Sequence, residues 1–238
     1  MNRKTVKLLG FNIDTFDFEG AVDYVKMLLE TRKGGQIVTI NPEMIEFGLK
    51  NDWFAQILNK AELVIPDGVG VKIGLKIKGF SAQRIAGIEL GHRLLEECAK
   101  HNYSVALLGA KPHIIQKACD NLKSEINNLN IVYVQDGYFK NSNDIQWALG
   151  ERNPQLILVA LGSPKQEEFI NEYRKYHPET VMIGVGGSFD VWSGEVERAP
   201  KIYQKLGLEW LYRTIKEPQR FNRIFPTLPR FIFRVLFS

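Results

Sequence analysis

The sequence is poor in the residues that build a stapled, metal-centred or membrane-spanning protein. Among 238 residues there are two cysteines, Cys98 and Cys119, neither with a second Cys or a His at metal-ligand spacing. Both fall in helix-like segments and read as buried free thiols, which excludes a disulfide-stapled secreted domain. No stretch approaches the roughly 18 uninterrupted apolar residues that a spanning helix requires. The opening MNRKTVKLLG holds no apolar signal core, so the expected location is the cytoplasm. The 20 glycines and 10 prolines follow no period, and a 45% hydrophobic content excludes disorder. What remains is a globular chain long enough to bury a substantial core.

Several catalytic signatures are also missing. No two aspartates stand one residue apart, so there is no DxD to hold a divalent ion against a diphosphate. His92, His101, His113 and His177 show no pairing at ligand spacing and read as surface or capping residues. There is no GxSxG elbow and no Walker A loop. Gly184-Val185-Gly186-Gly187 lacks the third glycine of GxGxxG, and suits a glycine turn against a nucleotide better than a dinucleotide fold. The chemistry is expected to need no metal, no cofactor and no covalent triad.

Apolar runs of strand length are present, each followed by a helix-period segment. They lie at 35–41, 61–68, 104–110, 131–139, 155–164 and 180–189, and the last four start 27, 24 and 25 residues apart. Strand–helix alternation at this spacing marks right-handed βαβ units in a parallel sheet. The runs are continuous Val/Ile/Leu rather than alternating, as strands covered by helices on both faces require. The expected fold is a three-layer, Rossmann-like α/β catalytic domain over residues 1–197, with a helical, membrane-associating C-terminal appendage over 198–238.

In such sheets ligands bind past the carboxyl ends of the strands. Each run here ends in a glycine or a polar residue. Asp67, in Pro66-Asp67-Gly68, suits a tight turn, and the same position offers a carboxylate as general base; spacing alone leaves both open. Thr39 and Asn41 share one side of the pleat; Asn41 also fits a helix N-cap with Pro42 at N1, which is compatible with ligand contact. In Gly162-Ser163-Pro164-Lys165-Gln166-Glu167, Ser163 is expected as N-cap. Lys165 and Gln166 sit poorly with the helix dipole unless a phosphate occupies the gap.

The formal net charge of +4 hides an uneven distribution. Residues 198–238 hold nine Lys/Arg against Glu209 and Glu217, and eight of the 26 aromatic residues. Arginines interleaved with Phe, Ile and Leu describe an interfacial amphipathic segment on an anionic membrane surface. Nucleic acid is disfavoured because the apolar members are aliphatic as well as aromatic. Part of the tail, over 201–217, also fits a helix docked on the body, whereas beyond Pro218 no partner is evident.

Thr39-Ile40-Asn41-Pro42-Glu43, Pro66-Asp67-Gly68, Arg84 with Gly87-Ile88-Glu89, Leu107-Leu108-Gly109, Gly137-Tyr138-Phe139, Gly162 to Glu167, Gly184 to Asp190, Arg198-Ala199-Pro200 and Leu208 to Arg213 form an ordered set. Together they resemble the WecG/TagA/CpsF glycosyltransferases over nearly the whole chain. Glu89 departs from the Asp commoner in the family after Arg-x-x-Gly-x. The resemblance implies an inverting, metal-independent glycosyltransferase. It would move N-acetylmannosamine from its UDP derivative to undecaprenyl-diphosphate-linked N-acetylglucosamine, in teichoic acid linkage-unit synthesis. Asp67 would be the base. Thr39, Asn41, Arg84, Gly109, Tyr138, Gly162, Gln166, Gly186 and Asp190 would bind substrates. The basic tail and the missing DxD add the expectation that Arg213, Arg220 and Arg223 close on the diphosphate or the membrane. The expected location is peripheral, on the inner face of the cell membrane, with oligomeric state open, a homo-oligomer included. A relative using another UDP-sugar, a nucleotide-dependent oxidoreductase and a non-enzymatic adaptor are the competing readings.

Overall fold

The chain begins with a hairpin that the sequence reading did not foresee: β1 (Thr5–Leu8) antiparallel to β2 (Phe11–Asp14). Its turn, Leu9-Gly10, has both residues at positive φ (50° and 88°). The computed structural model describes residues 3–205, 209–216 and 221–238; side chains at positions 205, 210, 213 and 221–225 lie outside that description.

The six apolar runs become β3 (Gly35–Ile40), β4 (Leu63–Pro66), β5 (Val105–Gly109), β6 (Ile131–Gln135), β7 (Leu156–Ala160) and β8 (Val181–Gly184). They form one sheet in the order β4-β3-β8-β7-β5-β6, with every neighbouring pair parallel. Successive residues serve opposite layers. Ile37, Leu107, Leu158 and Ile183 pack with α1 (Phe18–Glu30), α5 (Gly87–His101), α6 (Pro112–Glu125) and Phe189 of the short α9 (Ser188–Trp192). Val38, Ile40 and Val64 pack with α2 (Pro42–Gly48), α3 (Asp52–Asn59) and α4 (Val69–Ile77). Farther along that face, Leu108, Val159 and Met182 meet α7 (Ser142–Arg152) and α8 (Lys165–Tyr173). The three-layer α/β architecture is thus present. The helix after β3 lies in one layer and the helix after β8 in the other. The two adjacent strands therefore leave a crevice at their carboxyl ends, the switch point of the sheet.

The C-terminal segment forms α10 (Lys201–Lys205), α11 (Glu209–Lys216) and α12 (Phe221–Phe237). The expectation that residues beyond Pro218 have no partner is corrected. Phe231 and Val235 of α12 are fully buried in the cluster formed by β1–β4 and α2–α4. A Cβ on Gly74 would lie 3.1 Å from the Phe231 ring, and one on Gly70 2.7 Å from Leu228, so α4 carries glycines where α12 crosses it closely. Arg234 Nε reaches Glu46 Oε1 of α2 at 3.1 Å, and Lys78 Nζ donates to the Ser238 carbonyl. Apolar burial and an ion pair together hold this helix on the body.

Candidate active site

A cleft of about 470 Å³ opens where the sheet topology places it. Its walls bring together Thr39, Asn41, Asp67, Arg84, Gly162, Gln166 and Gly186, seven of the residues singled out from the sequence. Asn41 caps α2, its Oδ1 accepting from Met44 N–H at 3.0 Å with Pro42 at N1, as expected. Thr39 lies against Gly87, where an added Cβ would stand 3.0 Å from Thr39 Oγ1. Gln166 ties two strand ends together. Its Oε1 accepts from Gly186 N–H at 3.2 Å, and its Nε2 donates to buried Glu167 at 2.7 Å. Burial holds the Glu167 carboxyl above its ordinary pKa.

Asp67 follows β4, its own N–H donating to Ile40 O at 2.8 Å. The residue is half-buried, and desolvation of its carboxyl pushes the pKa up to about 6. The Arg84 guanidinium and backbone N–H groups of Gly87 and Gly68 oppose that rise, while Glu209 adds to it. A carboxylate poised near neutrality at the wall of a cleft has the properties of a general base.

Three lining residues come from the tail: Glu209 of α11 and Thr227 and Leu228 of α12. Glu209 faces Arg84 at 3.7 Å and Arg198 at 4.0 Å, and Arg198 in turn pairs with Glu89. The tail therefore forms one wall of the cleft. Of the tail arginines singled out from the sequence, Arg220 and the side chains of Arg213 and Arg223 lie outside the described residues.

Gly109, Tyr138 and Asp190 do not line the cleft. Gly109 (φ 124°) ends β5 against β7, where a Cβ would lie 2.3 Å from the Ala160 carbonyl oxygen. Tyr138 follows β6, is 69% exposed, and its N–H donates to Asp136 Oδ1. Both stand on the same carboxyl edge of the sheet, on the far side of β7. Asp190 is in the first turn of α9, just past the lining residues Gly187 and Ser188. Ser163 is not the N-cap of α8: the helix starts at Lys165 with Pro164 before it and no side-chain cap. Lys165 is exposed and away from the cleft wall. Among the described residues, no group of three or more His, Cys, Asp or Glu side chains is placed to hold a metal ion.

A family model described as the Glycosyl transferase WecG/TagA/CpsF family matches residues 6–238. The chain belongs to this glycosyltransferase family. It is 36% identical over 209 residues to the N-acetylglucosaminyldiphosphoundecaprenol N-acetyl-beta-D-mannosaminyltransferase of Bacillus spizizenii, covering 87% of this chain and 81% of that protein. The protein of the same name in Bacillus subtilis is 36% identical over 217 residues, covering 90% and 84%. For this WecG/TagA/CpsF chain, the sequence reading missed Glu209, Thr227 and Leu228 as cleft residues. The Leu208–Arg213 motif contains Glu209, but nothing local distinguishes a tail acid that turns inward from one that stays in solvent.

Proposed function

We propose that this protein transfers N-acetylmannosamine from its UDP derivative to N-acetylglucosamine carried on undecaprenyl diphosphate, with inversion at the anomeric carbon. The single observation that carries the chemistry is Asp67, a desolvated carboxylate at the cleft wall with a pKa near 6. The names of the two Bacillus relatives support the choice of sugar and acceptor. In the reaction Asp67 takes the proton of the acceptor hydroxyl as its oxygen forms a bond to the anomeric carbon. The bond from that carbon to the diphosphate breaks, and its electron pair leaves with UDP. Thr39 and Asn41 orient the donor sugar or the attacking hydroxyl.

The leaving diphosphate requires positive potential. Arg84 offers it without a metal ion, and the N-termini of α4 and α5, whose Gly68 and Gly87 N–H groups face Asp67, add positive potential along the same wall. Gly162, Gln166 and Gly186 hold the diphosphate, with Gly109, Tyr138 and Asp190 along the same edge for the nucleotide. Arg213, Arg220 and Arg223 close over the leaving group or bind headgroups.

The acceptor is a lipid, so the cleft must reach a bilayer. Among the described residues no helix is long and apolar enough to cross one. The outer surface of α12 carries exposed Phe233, Leu236 and Phe237, with Arg230 beside them, and the packed α4 adds exposed Ile73 and Ile77, each directly following a lysine, Lys72 and Lys76. Apolar insertion flanked by cations supports peripheral attachment to an anionic inner leaflet. The test is a transfer assay with a panel of UDP-N-acetylhexosamines and a lipid-diphosphate N-acetylglucosamine acceptor, with and without EDTA. The expected result is transfer from the manno donor alone, unaffected by chelation. Transfer from a different sugar only, or none from any, would refute the reading.

A further inference from the structure

The base is not alone in its cleft. Among the described residues, the charged groups around Asp67 are Arg84 from the loop before α5, Glu209 from α11 and Glu43 from α2, all on the cleft wall. Behind them, Arg198 pairs with Glu89 of α5 and faces Glu209 at 4.0 Å. Gln166 and Ser188, from α8 and α9, add no charge. Arg84 and Asp67 have opposite charges and share one wall. Left without another partner, the guanidinium would pair with the base and tie up the lone pair that must take a proton. Glu209 stands 3.7 Å from Arg84 and is 9% exposed. In so dry a position a carboxylate competes for the guanidinium far better than it would at the surface.

We infer that Glu209, brought in by α11, is a positioning residue that draws Arg84 away from Asp67 and so leaves the base free to accept the acceptor proton. The C-terminal segment then contributes to catalysis through an acid, in addition to any role for its cations. This inference rests on the glycosyl-transfer reading above. Absence of transfer by the unaltered chain would defeat that reading, whereas the comparisons below bear on Glu209 alone.

The experiment is the pH dependence of kcat/KM in the full chain, for wild type, Glu209→Gln, Glu209→Asp and Arg198→Gln, with UDP affinity measured alongside. Glu209→Gln should move the acid limb down by about one pH unit and lower the plateau about three- to tenfold, because a weaker base transfers the proton less well. UDP affinity should not fall, because loss of the Glu209 charge leaves Arg84 at least as positive toward the diphosphate. Glu209→Asp, which keeps the charge, should restore much of the wild-type limb. Arg198→Gln removes a cation that partly neutralises Glu209 and should move the limb upward; it remains informative if Glu209→Gln does not fold. A limb that stays in place in Glu209→Gln or, should that variant not fold, in Arg198→Gln would overturn the inference, leaving Glu209 as a pin for α11.

Discussion

Two carboxylates of this fold meet opposite surroundings. Glu97 lies on α5 where it packs against α1, 3% exposed, with hydrogen bonds or ion pairs from Arg93, Lys100 and Lys26 and with His101 at 3.7 Å. Burial works to raise its pKa, but the Arg93, Lys100 and Lys26 contacts outweigh it and bring the carboxyl down to about 2. Asp67 is less buried overall, yet burial dominates there, and Arg84 with two backbone N–H groups recovers only part of the cost. The difference shows how one side-chain chemistry serves two ends. An acid ringed by cations ties helices together; an acid left partly uncompensated stores the basicity that catalysis uses.

The largest effect expected from this contrast is on turnover. Asp67→Asn should lower kcat by about 10²–10⁴, with UDP binding and folding retained; a rate within a few-fold of wild type would remove Asp67 as the base. Next is the wall that desolvates the cleft. Phe231 is fully buried between α12 and α4, so Phe231→Ala should cost about 3–5 kcal/mol in denaturant unfolding. A loss below 1 kcal/mol would show that α12 is not held as described.

The smallest effects are on stability and have opposite signs. Glu97 has a depressed pKa, so its contribution is present above about 4.5 and is lost as pH falls toward 2. Glu97→Gln should therefore destabilise by about 1–2 kcal/mol at pH 7, discounted because its cationic partners are partly exposed, and the gap should close in acid. Asp67 has a raised pKa, so relative to the unfolded chain its ionisation costs stability as pH rises through about 4 to 6. Asp67→Asn should therefore stabilise by about 1 kcal/mol at pH 7 and have no such effect at pH 3. Equal signs for the two variants in thermal unfolding at pH 7 would break the comparison.

The strands and the Asp67 side of this contrast could be read from the sequence, the Glu97 cluster could not, and the limits have physical causes. The six Val/Ile/Leu runs became the six parallel strands; five of them are buried nearly throughout and have no polar alternation to confuse them, while the edge strand β6 is only half-buried. Thr39, Asn41 and Asp67 follow from the same logic, since polar residues ending such strands must stand at the sheet's carboxyl edge. The α4 helix was harder to see, because Gly70 and Gly74 weaken a helical pattern and are explained only by Leu228 and Phe231 crossing them. The first hairpin turns on Leu9-Gly10 rather than Asn-Gly, so its usual marker was absent. The helix-period segment after the first long strand breaks at Leu49–Asn51 into α2 and α3. Gly109 and Tyr138 share the edge but not the cleft because β5 and β6 lie beyond β7, a strand order that spacing does not encode. Glu209 is the extreme case, an acid in a basic tail whose partner Arg84 is reached only through the tertiary fold.

The central claim is that Asp67 is the base and that its surroundings set its strength. It is tested most directly by kcat/KM for sugar transfer measured from pH 4 to pH 8 in wild type and Asp67→Asn. The account predicts an acid limb near pH 6 in the wild type, where burial places the Asp67 carboxyl, and no such limb in the residual activity of the variant. A wild-type limb near pH 4, or one near pH 6 that persists after Asp67 is replaced, would contradict it.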